Sequence, residues 1–289
     1  MRENRVMKKL ALLLLLISFK SMATTETKLT LYFTPSPHGM DWSSPASLAW
    51  TALKNRLSMQ SRFMGHVYVE VQCGEKRELT GMVGKNFDYL NQLLVNGRGL
   101  GILYHSFDGR LEEKEDLDKE LAELSKSGRM NFAQFNLNQD QCTRLLTYLQ
   151  EYRSKDSNKF YGLSNRPRYA EGGGCSAFGA SFVDVAGIMD EDIKKGWSNT
   201  VNIPLEFAGP PLKESKVSLF KILFGSPVWA KENEPHQKLF FWDPDLMANW
   251  VREKVAKAKP EEILKKENSV GILVDKSQLA LPQDEIWRK

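Results

Sequence analysis

Three glycines, a cysteine and a serine follow one another at Gly172–Ser176, inside the run EGGGCSAFGASFVDVAG that spans residues 171–187. From Cys175 onward, Phe178, Phe182 and Val185 share one apolar stripe, Gly179, Ala180 and Ala186 are small, and Gly187 supplies a stop. That spacing predicts a helix opening at Cys175. The preceding glycines cannot propagate it, since each costs about 1 kcal/mol relative to alanine. They let backbone approach closely and leave amide donors facing an incoming group. A thiol at such a helix start feels the positive end of the dipole, and with a cationic histidine beside it its pKa falls from about 8.5 to roughly 3.5–7.5. The same amides can hold an oxyanion. The chemistry is therefore that of a thiolate nucleophile, and it needs a base or ion-pair partner.

Four histidines are available: His38, His66, His105 and His236. His66 opens HVYVEVQC, whose period of two puts His66, Tyr68 and Glu70 on one strand face and Val67, Val69 and Val71 on the other. The histidine face reads as polar and its reverse as core, so the ring is rigidly aimed. Glu70 on the same strand, and Thr80 or Glu78 on its expected partner, compete to orient it. His38 and His236 each adjoin a proline in expected loops. The catalytic candidates are thus Cys175, His66, Glu70 and Thr80, and a groove with His105, Tyr104, Tyr161 and Tyr169 is the candidate substrate surface. No CxxC or HExxH spacing occurs, so neither a metal nor another cofactor is expected.

The elements that must position these groups are legible in outline. KLTLYFTP from Lys28 alternates as a strand, and Ser44 with Pro45 begins a helix. GHVYVEVQCGEKRELTGMV reads as a hairpin turning at CGEK. NGRGLGILYHSFDGR, residues 96–110, reads as an irregular glycine-rich loop, and LEEKEDLDKELAELSKSG as a charged, solvated surface helix. MNFAQFNL is a short strand, and NQDQCTRLLTYLQEYR a helix with a capping-box start at Asn138 and Gln141 and with Cys142 on its core stripe. Beyond Gly187, NIPLEFAGPPLK is a connecting segment, VSLFKILFGSPVWA is strongly apolar, FFWDPDLMANWVREK is a helix capped by Asp243 or Asp245, and the tail from Lys257 is charged. This mixture, with its antiparallel hairpin, predicts an α+β fold.

Bulk composition narrows the function classes. The 289 residues are 42% hydrophobic and 26% charged, ordinary for one large domain or a domain with an extension. The net charge of +4 is concentrated in Arg2, Arg5, Lys8, Lys9 and Lys20 against Glu3, so the remainder is close to neutral and nucleic acid is excluded as a partner. Those charges precede LALLLLLISF and SMA ending at Ala23, a basic, apolar and small-x-small succession that predicts a cleaved export signal over residues 1–23 and a periplasmic or secreted protein. Cys73, Cys142 and Cys175 then remain in a compartment that permits disulfides, and their odd number leaves at least one free thiol.

The order of these pieces resembles the circularly permuted branch of the NlpC-type papain-like superfamily, in which histidine precedes cysteine. That branch includes YiiX-like proteins, lecithin–retinol acyltransferase-like enzymes and the amino-terminal domain of the bacterial lipoprotein intramolecular transacylase. The resemblance rests on Met64-Gly65-His66-Val67, the GRGLG run from Gly97, MNFAQFNLNQDQCTRLLTYL and Gly174-Cys175-Ser176, and it covers roughly residues 60–190. It implies a papain-like domain over residues 24–190, a Cys175 nucleophile and a His66 base, with Tyr161 matching a tyrosine often found upstream of the cysteine. Gly174 stands where some of these families carry asparagine, and residues 191–289 have no counterpart and are expected to pack on the domain as a C-terminal extension.

Two functions follow as expectations. The first is an exported thiol-dependent hydrolase or acyltransferase acting on an amide or ester in the cell envelope, whether lipid, lipoprotein or peptidoglycan peptide, with a peripheral membrane contact. The second is a non-catalytic envelope binding module on the same fold. Permuted members more often handle acyl chains, which need an apolar trough, and VSLFKILFGSPVWA and LFFWDPDLMANW offer the side chains for one.

Overall fold

The computed structural model describes residues 26–58, 64–85 and 88–289, so the leader expected over residues 1–23 lies outside the described residues. The fold is α+β. Its strands are β1 (Thr27–Thr34), β2 (His66–Cys73), β3 (Lys76–Gly84), β4 (Phe107–Leu111), β5 (Asn131–Asn136), β6 (Phe160–Tyr161), β7 (Ser198–Pro204), β8 (His236–Trp242), β9 (Ile263–Lys266) and β10 (Ser269–Asp275). Eight of them form one sheet in the order β6-β4-β3-β2-β1-β5-β10-β9, and β7 pairs with β8 apart from it. Every ladder is antiparallel except that between β5 and β10.

The helices are α1 (Pro45–Leu57), α2 (Tyr89–Leu94), α3 (Lys114–Ser127), α4 (Gln139–Ser154), α5 (Cys175–Val185), α6 (Glu191–Trp197), α7 (Leu219–Phe224) and α8 (Pro244–Val255). Local caps fix several starts. The Ser47 amide donates to Ser44 Oγ at α1, Asn138 and Gln141 close a reciprocal capping box at α4, and Asp243 caps α8.

Helices α4, α5 and α8 cover the sheet face that carries Leu31, Val67 and Val69. The opposite face is covered too. Leu117, Leu121 and Leu124 of α3 pack on Tyr32, Tyr68, Leu79 and Phe132, so the charged helix buries an apolar stripe, and the face of Tyr68 and Glu70, read as polar from the alternation, is closed from solvent. The difference arises because three leucines at helical spacing suffice to seat a helix that is otherwise charged.

Residues beyond 190 enter the sheet itself, with β10 lying parallel to β5 and β9 outside it. The C-terminal segment closes over α5, where Arg168 is buried and its guanidinium donates to Asp184 Oδ2 and Asp284 Oδ2 at 2.8 Å each and to the Ile286 carbonyl at 2.9 Å.

Cys73 at the end of β2 and Cys142 on α4 form a disulfide across 69 residues of chain, which makes Cys142 a cross-link as well as a core residue. Cys175 is the free cysteine. Replacing both bonded cysteines by alanine should lower the unfolding free energy by about 4 kcal/mol through the loop released in the unfolded chain. Urea unfolding of the double variant measures this, and an unchanged midpoint would contradict it.

Candidate functional site

The glycine run does steric work. Gly172 has φ +75° and a Cβ there would lie 2.2 Å from the Phe160 carbonyl oxygen, so only glycine fits. The Gly173 amide donates to that carbonyl at 3.1 Å and the Gly174 amide to the Gly162 carbonyl at 2.8 Å, so the run is laid along β6. This alignment sets Tyr161 beside the start of α5, with its hydroxyl 3.9 Å from Cys175 Sγ. Gly174 is an extended N-cap without a side chain, and the first-turn amides of α5 therefore receive no side-chain cap. Gly179 brings α5 against β2, since a Cβ there would meet Val67 Cγ1 at 2.6 Å.

His66 stands at the first position of β2, 3% exposed, with its ring edge-on to Tyr68 at 4.5 Å. Its Nε2 is 2.7 Å from Glu112 Oε2, and Glu112 is itself buried. Glu112 follows β4, is fixed by its amide donating to the Gly81 carbonyl at 2.9 Å, and its carbonyl accepts from Thr80 Oγ1 at 3.1 Å. The carboxylate fits only because residue 81 is glycine: a Cβ there would be 2.4 Å from Glu112 Oε2 and 3.1 Å from His66 Nε2.

Electrostatics couple the three groups. Burial alone would raise the Cys175 thiol. The positive charge of His66 and its hydrogen bond, then the Val67 amide and the Tyr161 hydroxyl, outweigh burial and hold the thiol below its ordinary value. Burial would likewise lower His66, but the charges of Cys175 and Glu112 and hydrogen bonds to both raise it to about 9. Tyr161 is pushed well up, first by burial and then by the Cys175 charge, so it stays a hydroxyl that can donate to sulfur. Cys175, His66 and Glu112 thus form a buried series in which the imidazole bonds to both the sulfur and the carboxylate, and each neighbour favours the charged form of the other.

The series opens on a cavity of about 790 Å³. Cys175, Ser176 and Tyr161 line it, and the walls are mainly apolar, with Trp42 before α1, Leu48 of α1, Leu93 of α2, Leu100, Ile222 of α7 and Phe241 of β8. Segments on both sides of residue 190 build it. Asp243, also in the lining, is raised to about 6 by burial and by the neighbouring Asp245 charge.

The structure brings Cys175, His66 and Tyr161 together and turns other candidates elsewhere. Glu70 accepts from the Tyr32 hydroxyl at 3.0 Å and from Arg77 Nη2 at 2.9 Å beneath α3, because period two carries it down the strand away from the ring. Thr80 holds the backbone of Glu112, not the imidazole, and Glu78 pairs with Arg153 at 3.2 Å. His105 lines the cavity and stacks edge-on to Phe107 at 4.5 Å, held below its ordinary value by burial and then by the Arg98 charge. Tyr104 is turned to the Gln237 carbonyl at 3.4 Å, and Tyr169 lies under the Arg166 guanidinium at 4.2 Å, so neither is in the cavity lining.

Sequence reasoning missed Glu112 and Tyr89. Tyr89 lines the cavity and is pushed well up by burial and then by the Cys175 charge. Its signal was faint, one tyrosine at the head of a six-residue helix. No protein-family model, curated protein or solved structure matches this chain.

Proposed function

We propose that this protein is an exported thiol-dependent hydrolase or acyltransferase of the cell envelope, acting on an amide or ester whose acyl part is apolar. The observation that carries the reading is the Cys175–His66–Glu112 series, with Cys175 in the lining of an apolar cavity. Its resemblance to permuted papain-like proteins is consistent with this order of histidine before cysteine. The leader pattern and the Cys73–Cys142 disulfide favour an oxidising compartment.

In the first half-reaction Cys175 Sγ bonds to the carbonyl carbon and the carbonyl electron pair moves to oxygen, where first-turn amides of α5 donate to it. Collapse breaks the bond to the leaving amine or alkoxide, which takes the proton of His66. A thioester remains on Cys175, and His66 is neutral. In the second, water, an alcohol or an amine adds to the thioester while His66 takes its proton, and the thiolate leaves to restore the ion pair. Glu112 touches no reacting atom; it orients the ring and supports its charge. Apolar walls favour acyl or lipid-linked substrates over a cell-wall peptide.

Incubation with bacterial phospholipids, lipoproteins and, separately, purified peptidoglycan tests the reading. The expected result is an acyl adduct on Cys175 and turnover of the lipid-linked material; release of muropeptides with no adduct would overturn the substrate class, and no turnover or adduct with any of them would favour a binding module. The pH profile supplies a further prediction. The thiolate exists above the lowered thiol pKa and the imidazolium acid below about 9, so kcat/KM should rise from the acid side below the ordinary thiol range, hold a plateau, and fall through about pH 9. A rise that continues past pH 9 would exclude His66 as the acid.

A further inference from the structure

The helices that wall the cavity are apolar on their outer side as well. While Leu48, Leu53, Leu93 and Ile222 face the cavity, Trp50 and Leu57 of α1, Leu94 of α2, and Phe220 and Phe224 of α7 face solvent, with Leu57 79%, Phe220 67% and Phe224 66% exposed. Trp50, Phe224, Phe220 and Leu94 adjoin one another. Trp50 meets Phe224 edge-on at 5.9 Å, Phe224 stacks on Phe220 at 6.1 Å, and Lys216 next to α7 donates to the Val95 carbonyl beyond α2 at 3.0 Å. Leu90 both lines the cavity and is exposed, so the apolar surface runs from outside over the rim and inward. A patch of this kind on a protein surface marks an interaction site.

We infer that this rim docks on a lipid bilayer bearing anionic headgroups. Charge selects that occupant. Within residues 45–57, 88–95 and 213–228 the exposed cations are Lys54, Arg56, Lys213, Lys216 and Lys221, against the acids Asp88 and Glu214. Long basic side chains around an apolar centre suit the headgroup level, with the aromatic and aliphatic tips reaching the acyl boundary. Among the described residues no helix is long and apolar enough to cross a membrane, so the contact is peripheral. Continuity of the rim with the cavity gives the contact a purpose: an acyl chain can leave the bilayer and reach Cys175 without crossing water. Docking shares the cavity with the proposed chemistry but does not depend on the thiolate.

The test is flotation of the protein, recovered as the producing cell processes it, with vesicles of phosphatidylcholine alone and with about a third phosphatidylglycerol. The protein should float with the anionic vesicles and several-fold less with the neutral ones. Leu94→Ser with Phe220→Ser and Phe224→Ser should lower partition at least roughly tenfold at an unchanged melting temperature, because these side chains are exposed. Lys54→Glu with Lys216→Glu should remove the preference for anionic lipid. Cys175→Ala should float like the parent, so loss of chemistry and loss of docking read out separately. A parent that stays in solution, a triple variant that floats unchanged, or a dimer in sedimentation that the triple variant splits would each overturn the inference, the last by assigning the patch to a second copy.

Discussion

Cys175→Ser should reduce turnover by a factor of about 10³ or more while leaving the fold intact. Serine matches the thiol in shape, but its hydroxyl does not ionise beside an imidazolium at neutral pH, so the nucleophile is lost and the surroundings are kept. The choice of serine matters because Cys175 is 5% exposed and packed in the main core, where truncation to alanine would add a small cavity of its own. Two further readouts identify the charge. Iodoacetamide should label the parent at Cys175 alone, since Cys73 and Cys142 are bonded to each other, and a fluorophosphonate should not label it. In the serine variant His66 should titrate lower than in the parent: burial pulls the imidazole down, and the Cys175 charge is the larger of the two that push it up. A variant with normal turnover, or a parent thiol inert to iodoacetamide at neutral pH, would remove Cys175 from the mechanism.

The two ends of this ion pair were legible in the sequence because each carries its own local signal. The glycine run and the apolar stripe mark the start of α5, and the alternation of HVYVEVQC marks β2 with His66 at its head. Caps were equally local, as at Ser44, Asn138 and Asp243. What escaped was set by distant pairing. FDGRL alternates Phe107 and Leu111 with Asp108 and Arg110, but over five residues with a glycine at the centre that signal is too short to mark a strand, and it is one because β3 and β6 supply partners, Met82 opposite Leu111 and Tyr161 opposite Phe107. With β4 unseen, Glu112 stood among the acidic residues leading into α3 and nothing singled it out. β10 was likewise hidden in a charged tail, its partner β5 lying more than a hundred residues earlier. The usable trace of Glu112 was spatial and not chemical: Gly81, on the hairpin strand beside β2, leaves room for a second group next to the histidine.

Glu112→Gln isolates what that group contributes. The amide keeps the size and a hydrogen bond to His66 Nε2 but not the charge, and the buried setting, where water cannot replace the carboxylate, makes the loss costly. The imidazolium should be less favoured, the thiolate opposite it less stabilised, and turnover should fall about 10²-fold. Because Glu112 is absent from the cavity lining, KM should stay near the parent value while kcat carries the loss. The pH profile distinguishes this from structural damage: the falling limb near pH 9 should move toward neutral, and iodoacetamide labelling of Cys175 at neutral pH should slow. Glu112→Asp, which restores the charge one methylene shorter, should recover part of the rate and return the limb toward its original place. A drop in turnover with the limb unmoved in Glu112→Gln would mean that the carboxylate merely fills space behind β3, and the series would then end at His66.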